Sequence, residues 1–103
     1  MPRQARIVIP EVAHHVTQRG NYRQRIFQRE GDYKQYGEWV SDYSQKSGLK
    51  ILAYCLMSNH VHFICIPEKE DSLARTFNTV NMRYARNKKR KLKGHLWQGR
   101  FYS

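Results

Sequence analysis

The stretch Lys50-Ile51-Leu52-Ala53-Tyr54-Cys55-Leu56-Met57, then Ser58-Asn59, then His60-Val61-His62-Phe63-Ile64-Cys65-Ile66 and Pro67, decides the fold. Two apolar runs of strand length joined by two turn-forming residues read as a β-hairpin, and Pro67 closes the second run. Working outward, Asp32 to Lys46 carries Tyr33, Tyr36, Val40 and Tyr43 at helical spacing, with Gly48 where a C-terminal glycine belongs. After the hairpin, Glu68 to Asp71 is polar and Asp71 or Ser72 suits a helix N-cap. The helix that follows puts Leu73, Phe77, Val80 and Tyr84 on one face, frays into Lys89-Arg90-Lys91 and stops at Gly94. Upstream, Arg6 to Ile9 and Ala13 to Gln18 lean towards strand and lead to a Gly20-Asn21 turn, while Arg25 to Gln28 is a strand end or a loop anchor. Downstream, His95 to Tyr102 reads as another extended segment. The order β-(β)-α-β-β-α-β predicts an α+β, ferredoxin-like domain: an antiparallel sheet with two helices packed on one face.

The 103 residues suffice for one small domain, taken as 1–103, with a modest core. A 40% hydrophobic content argues against disorder, because the chain has apolar surface to offset its ordering entropy. No apolar run approaches the ~20 residues of a membrane span, and no signal-peptide pattern opens the chain. The two cysteines, Cys55 and Cys65, form no CxxC pair, which argues against a disulfide scaffold or zinc ribbon. The expectation is a cytoplasmic protein without a membrane partner. The sequence ends at Phe101-Tyr102-Ser103, inside an aromatic segment, so C-terminal truncation is expected, with an exposed Trp97/Phe101/Tyr102 edge prone to association.

Charge supplies the first functional direction. Nineteen Lys and Arg against eight Asp and Glu give a net +11, and no acidic residue follows Asp71. A one-sided basic field of this kind attracts polyanions, nucleic acid before a membrane surface or an acidic protein. Arg83, Arg86, Lys88, Lys89, Arg90 and Lys91 form a patch at the helix end, and Arg19 and Arg23 flank the Gly20-Asn21 turn. The helical patch lacks i+4 carboxylates and so repels itself unless a partner neutralises it. Tyr22, Trp97, Phe101 and Tyr102 could stack on unpaired bases, although most serve equally well in a core.

His60-Val61-His62 is the sharpest local feature. In a strand, residues i and i+2 share a face about 6.5–7 Å apart, so two imidazoles can converge on one ion while Val61 points into the core. The plainer alternative is a pair of hydrogen-bonded strand histidines. Two imidazoles leave a divalent site incomplete, so any ion needs further ligands from elsewhere. His14 and His15 are adjacent and face opposite sides of a strand; one could approach the His60/His62 face, but a structural role is the simpler expectation. His95 reads as a capping or surface residue. Of the seven tyrosines, Tyr33, Tyr36, Tyr43 and Tyr84 sit at apolar periodic positions that packing explains, and Tyr84 alone lies on a basic helix, a weak candidate nucleophile.

Three pieces then carry a resemblance: His15-Val16-Thr17-Gln18-Arg19-Gly20-Asn21, Ala53-Tyr54-Cys55-Leu56-Met57-Ser58-Asn59-His60-Val61-His62, and Gly94-His95-Leu96-Trp97-Gln98-Gly99-Arg100-Phe101. In this order they resemble the single-tyrosine HUH transposases of insertion-sequence type, nearest the REP-associated tyrosine transposases. The resemblance spans essentially the whole chain. It implies an HUH endonuclease core that binds single-stranded or hairpin DNA, with His60 and His62 holding Mg2+ or Mn2+. It further implies strand nicking and rejoining through a phosphotyrosine, as in DNA transposition and recombination, and admits a homodimer. Arg100 joins the DNA-binding set with the cations already named. The family's nucleophilic tyrosine lies on a helix after the Trp-Gln-x-Arg-Phe motif, and Ser103 precedes that helix, so the catalytic residue is unknown. The alternative expectation is a catalytically inactive nucleic-acid-binding remnant; a general scaffold for acidic partners is a third.

Overall fold

The computed structural model describes residues 8–21, 24–88, 96–99 and 101. Five elements follow one another: β1 (His14–Arg19), α1 (Glu30–Ser47), β2 (Leu49–Leu56), β3 (His60–Pro67) and α2 (Ser72–Lys88). The strands form an antiparallel sheet in the order β1-β3-β2, so β3 is central. The expected α+β architecture, with both helices on one face of the sheet, is observed.

Each element ends for a local reason. At the start of α1, Asp32 reaches back to accept the backbone N–H groups of Gln28 (2.8 Å) and Arg29 (3.1 Å), which the first helical turn would otherwise leave unpaired. Gly48 ends the helix in the left-handed conformation at φ 71°, its N–H donating to the Ser44 carbonyl. A side chain there would also run into Glu68. The hairpin loop is Met57 to Asn59, one residue longer than the expected Ser58-Asn59 turn, and Met57 N–H donates to the His60 carbonyl at 2.8 Å.

The core lies between sheet and helices. Val16 of β1, Val61, Phe63 and Cys65 of β3, Tyr36 and Val40 of α1, and Leu73, Phe77, Val80 and Tyr84 of α2 are all buried. Tyr36 and Tyr84 meet edge to face at 5.3 Å, and Phe63 and Phe77 lie 5.0 Å apart, geometries that favour aromatic rings beyond their area. Edge strand β2 is largely exposed and bulges between Ile51 and Ala53, which leaves Leu52 49% exposed.

Three local expectations change. Arg25 to Gln28 is a loop anchor and not a strand end: Ile26 and Phe27 are buried, and both amides donate to the Ser58 carbonyl at the hairpin tip. In the expected Arg6 to Ile9 strand, Arg6 and Ile7 lie outside the described residues, and Val8 and Ile9 are not strand. Among its described residues, the downstream extended segment pairs with the sheet through an isolated Gly20–Trp97 bridge and forms no strand. Nor are its described residues an exposed edge: Leu96 (4% exposed) and Phe101 (2%) are buried in the core and Trp97 packs against it. Gly94, His95, Arg100 and Tyr102 lie outside the described residues.

Candidate functional site

Alternation along β3 divides its residues. Val61, Phe63, Cys65 and Pro67 face the helices and are buried; His60, His62, Ile64 and Ile66 look out from the opposite, open face. Register brings β1 to the same face, with Arg19 opposite His60, Thr17 opposite His62 and His15 opposite Ile64. From β2, Cys55 lies opposite His62. Three rows of the sheet's open face thus concentrate three imidazoles, a hydroxyl, a thiol and a guanidinium.

The imidazoles touch one another. The His60 and His62 ring centroids are 4.8 Å apart with nearly perpendicular planes. His62 stacks on His15 at 5.1 Å, placing His62 Nδ1 3.0 Å from His15 Nε2 and 3.3 Å from Thr17 Oγ1. His60 Nδ1 lies 2.7 Å from Asn59 Oδ1, an acceptor that calls for a proton on Nδ1, so Nε2 is the nitrogen that carries the lone pair whenever the ring is neutral. Burial foremost, then His60, His15 and Arg19, holds His62 below the ordinary histidine range and favours the neutral form that can ligate a metal.

A small cleft of about 400 Å3 adjoins His60, lined by Arg19, Gly20, Asn59 and Gln98. Its floor needs glycine at position 20: a Cβ there would sit 2.5 Å from the Gln24 carbonyl oxygen and 2.9 Å from Ile26. A hydrogen-bond strap holds the cleft together. Gly20 N–H donates to the Asn59 carbonyl, Asn21 N–H to that of Leu96, and Gln98 N–H to that of Arg19. Beneath, a buried chain runs from Tyr36 Oη to Asn81 Oδ1 (2.6 Å) and from Asn81 Nδ2 to Gln18 Oε1 (3.2 Å). Gln18 Nε2 continues to the Gly99 carbonyl (3.3 Å), and Trp97 Nε1 donates to the Asn81 carbonyl (2.7 Å). The three sequence pieces singled out above meet here. A larger cleft of about 1230 Å3 runs between α1 and β2, along Tyr33, Gly37, Val40 and Tyr54, away from the histidines.

The cations separate into groups. Arg19 is exposed beside His60. Arg83 and Arg86 project from α2, in the helical layer; the Arg83 guanidinium lies 4.3 Å over the Trp39 ring and donates to Tyr43 Oη at 3.2 Å. Lys88 departs from the expectation of a solvated DNA-facing charge. It is 7% exposed and paired with Asp32, a partner 56 residues away in sequence that i+4 reasoning does not reach. Arg23, Lys89, Arg90, Lys91 and Arg100 lie outside the described residues. Tyr84 is fully buried among the helices, its hydroxyl donating to the Ile26 carbonyl at 2.6 Å and its pKa pushed up by burial and by Asp32. That is a packing position on the helix side of the sheet.

His15, Thr17, Asn59 and Gln98 are the site members that sequence reasoning left out or took as structural. For His15 and Thr17 the signal was available in part: if Val16 faces the core, both neighbours face away. What no local pattern supplies is that the far side of β1 lies beside His62. Among the described residues, no group of three or more His, Cys, Asp or Glu side chains is arranged to hold a metal ion.

Comparison with known proteins follows the same outline. The family model for IS200-like transposases matches residues 9–103. Among curated proteins, no sequence matches significantly. A solved structure of a REP-associated tyrosine transposase bound to a REP hairpin superposes with a TM-score of 0.75 at 20% identity, over 99% of this chain and 60% of the other. The chain therefore spans about three fifths of that protein's length. A crystal structure of a protein from Deinococcus radiodurans r1, assigned as a transposase, gives a TM-score of 0.72 at 16% identity, over 98% of this chain and 83% of the other.

Proposed function

The chain belongs to the IS200-like transposase family, and from that premise we propose that it is the metal- and DNA-binding core of an enzyme that nicks and rejoins single-stranded DNA beside hairpins. The observation that carries the reading is the His60/His62 pair in contact on an open sheet face, His60 hydrogen-bonded to Asn59, next to Arg19 and its cleft. The solved hairpin complex of the similar fold supports a hairpin as the DNA partner.

The donor set fits a divalent ion that brings oxygen ligands of its own. His60 and His62 would hold it, and with no third acidic, thiol or imidazole ligand converging among the described residues, DNA phosphate oxygens would complete the shell. Imidazole nitrogen suits Mn2+ better than Mg2+, which prefers oxygen. When bound, the ion supplies positive charge that polarises the scissile phosphate. Asn59 orients His60. Arg19 neutralises the phosphate backbone at the mouth of the cleft, and the Gln98 amide offers hydrogen bonds to a nucleotide within it. Arg83 and Arg86, with Arg23, Lys89, Arg90, Lys91 and Arg100, supply the salt-sensitive hold on the remaining strand.

Cleavage in this scheme replaces the phosphorus–O3′ bond by a phosphorus–tyrosine bond, and rejoining reverses the exchange without ATP. The buried hydroxyl of Tyr84 is committed to Ile26, so Tyr84 is not assigned as the nucleophile. That placement favours a second reading, a binder of hairpin DNA that does not cut.

One experiment separates the two. The chain is incubated with a hairpin-flanked single-stranded oligonucleotide and Mn2+, and covalent protein–DNA bands are resolved on a denaturing gel. The enzyme reading expects a band that His60→Ala abolishes while salt-sensitive binding persists. Binding without any band supports the binder, and absence of hairpin preference over duplex overturns both.

A further inference from the structure

His62 Nδ1 and His15 Nε2 lie 3.0 Å apart, and two ring nitrogens at that distance share one proton. The proton has two resting places. If it sits on His15 Nε2, His62 accepts at Nδ1 and must carry its own proton on Nε2, the nitrogen a metal would need. If it sits on His62 Nδ1, His15 accepts, and His62 Nε2 is left as a lone pair.

His60 shows which arrangement the site is built for. Its Nδ1 faces an obligatory acceptor, Asn59 Oδ1, so its free nitrogen is Nε2. A matching ligand pair requires the same tautomer of His62, and Thr17 Oγ1, 3.3 Å from His62 Nδ1, offers that proton a second acceptor. We propose that His15 is a positioning residue of the metal site: its Nε2 accepts the Nδ1 proton of His62 and so holds His62 Nε2 ready to ligate. The nearly parallel stacking of the two rings, 16° between planes, fixes the His62 orientation at the same time. His15 thereby does for His62 what Asn59 does for His60, the outer-shell role that ligating histidines commonly require. The inference rests on the metal reading above.

The first readout needs neither metal nor DNA. Two-bond proton–nitrogen correlation NMR of the metal-free chain is expected to show His62 protonated at Nδ1, and His15→Phe, which keeps a ring to stack but offers no acceptor, is expected to lose that preference. The second readout is Mn2+ affinity by calorimetry or EPR with a hairpin-flanked single-stranded oligonucleotide present to supply phosphate oxygens. His15→Phe is expected to weaken it by about 10- to 100-fold, whereas His15→Gln, which restores an acceptor near Nε2, recovers most of the loss. Mn2+ uptake with His62 protonated at Nε2 overturns the role of His15 and leaves the metal reading standing. So does His15→Phe binding Mn2+ like wild type, or His15→Gln binding as weakly as His15→Phe. An Nδ1-protonated His62 in a chain that takes up no Mn2+ overturns the metal reading and the role of His15 with it.

Discussion

The helix-facing and open sides of β3 differ in kind although they alternate residue by residue. On one side Val61, Phe63 and Cys65 are buried, and burial pushes the Cys65 thiol up to about 12, beyond useful reactivity. On the other, His60 and His62 remain half-exposed, and Cys55 opposite His62 is exposed. The same backbone ladder serves both. One side supplies the packed core and the other gathers polar and titratable side chains, so a substitution's effect is set less by its position along the strand than by its parity.

The sharpest way to break this contrast is to truncate two adjacent residues. Phe63 meets the rings of Tyr36, Tyr54 and Phe77, and Phe63→Ala is expected to cost about 3–5 kcal/mol, enough to unfold much of so small a domain. Ile64→Ala, on the open face at 37% exposure, is expected to cost about 1 kcal/mol or less. Urea unfolding of the pair decides it; equal losses would mean that the open face is packed as tightly as the core.

A smaller effect is expected where the helical layer has polar chemistry of its own. Burial opposes ionisation of Asp32, but Lys88 and the amides of Gln28 and Arg29 outweigh it and hold the carboxyl below its ordinary value of 3.8. A depressed carboxyl contributes stability that is complete above the unfolded value and is lost as pH falls through the folded one. Wild-type stability should therefore decline as pH drops below about 4. Asp32→Asn should cost about 1–2 kcal/mol at neutral pH and flatten that decline. Unfolding midpoints from pH 7 to 3 test both; an unchanged acid profile in the variant would remove Asp32 from the account.

The smallest change sharpens the picture of the core. Thr76 Oγ1 is buried without a hydrogen-bond partner among the described residues. Thr76→Val keeps the shape and removes the polar atom, so stability should stay within about 0.5 kcal/mol or rise. A clear loss in thermal unfolding would reveal a partner for that hydroxyl.

The hairpin and both helices were legible because their apolar residues recur at periods that only one local structure satisfies. His60 and His62 were legible for the same reason, two residues apart on a strand. What escaped depends on contacts distant in sequence. His15 reaches His62 only through the β1–β3 register, and Lys88 is neutralised by an aspartate three elements earlier. The Trp97 segment looked like a strand because its composition is that of a strand, yet burial of Leu96 and Phe101 and the hydrogen bonds to Arg19 and Asn21 turned it into a strap. Arg25 to Gln28 was ambiguous because its role, holding the hairpin tip, belongs to its partner and not to its own pattern.

The central place of β3 also sets an order of events in folding. The β2–β3 hairpin closes across a three-residue loop, whereas His15 and His62 are 47 residues apart. Closing the longer loop costs more chain entropy, so pairing of β1 with β3 is the slower step. Before it occurs, the chain has the two histidines of the hairpin but not His15, Thr17, Arg19 or the strap that forms the cleft. The cleft and the finished sheet arrive together, and a nascent or half-folded chain has neither the His15–His62 contact nor the strap.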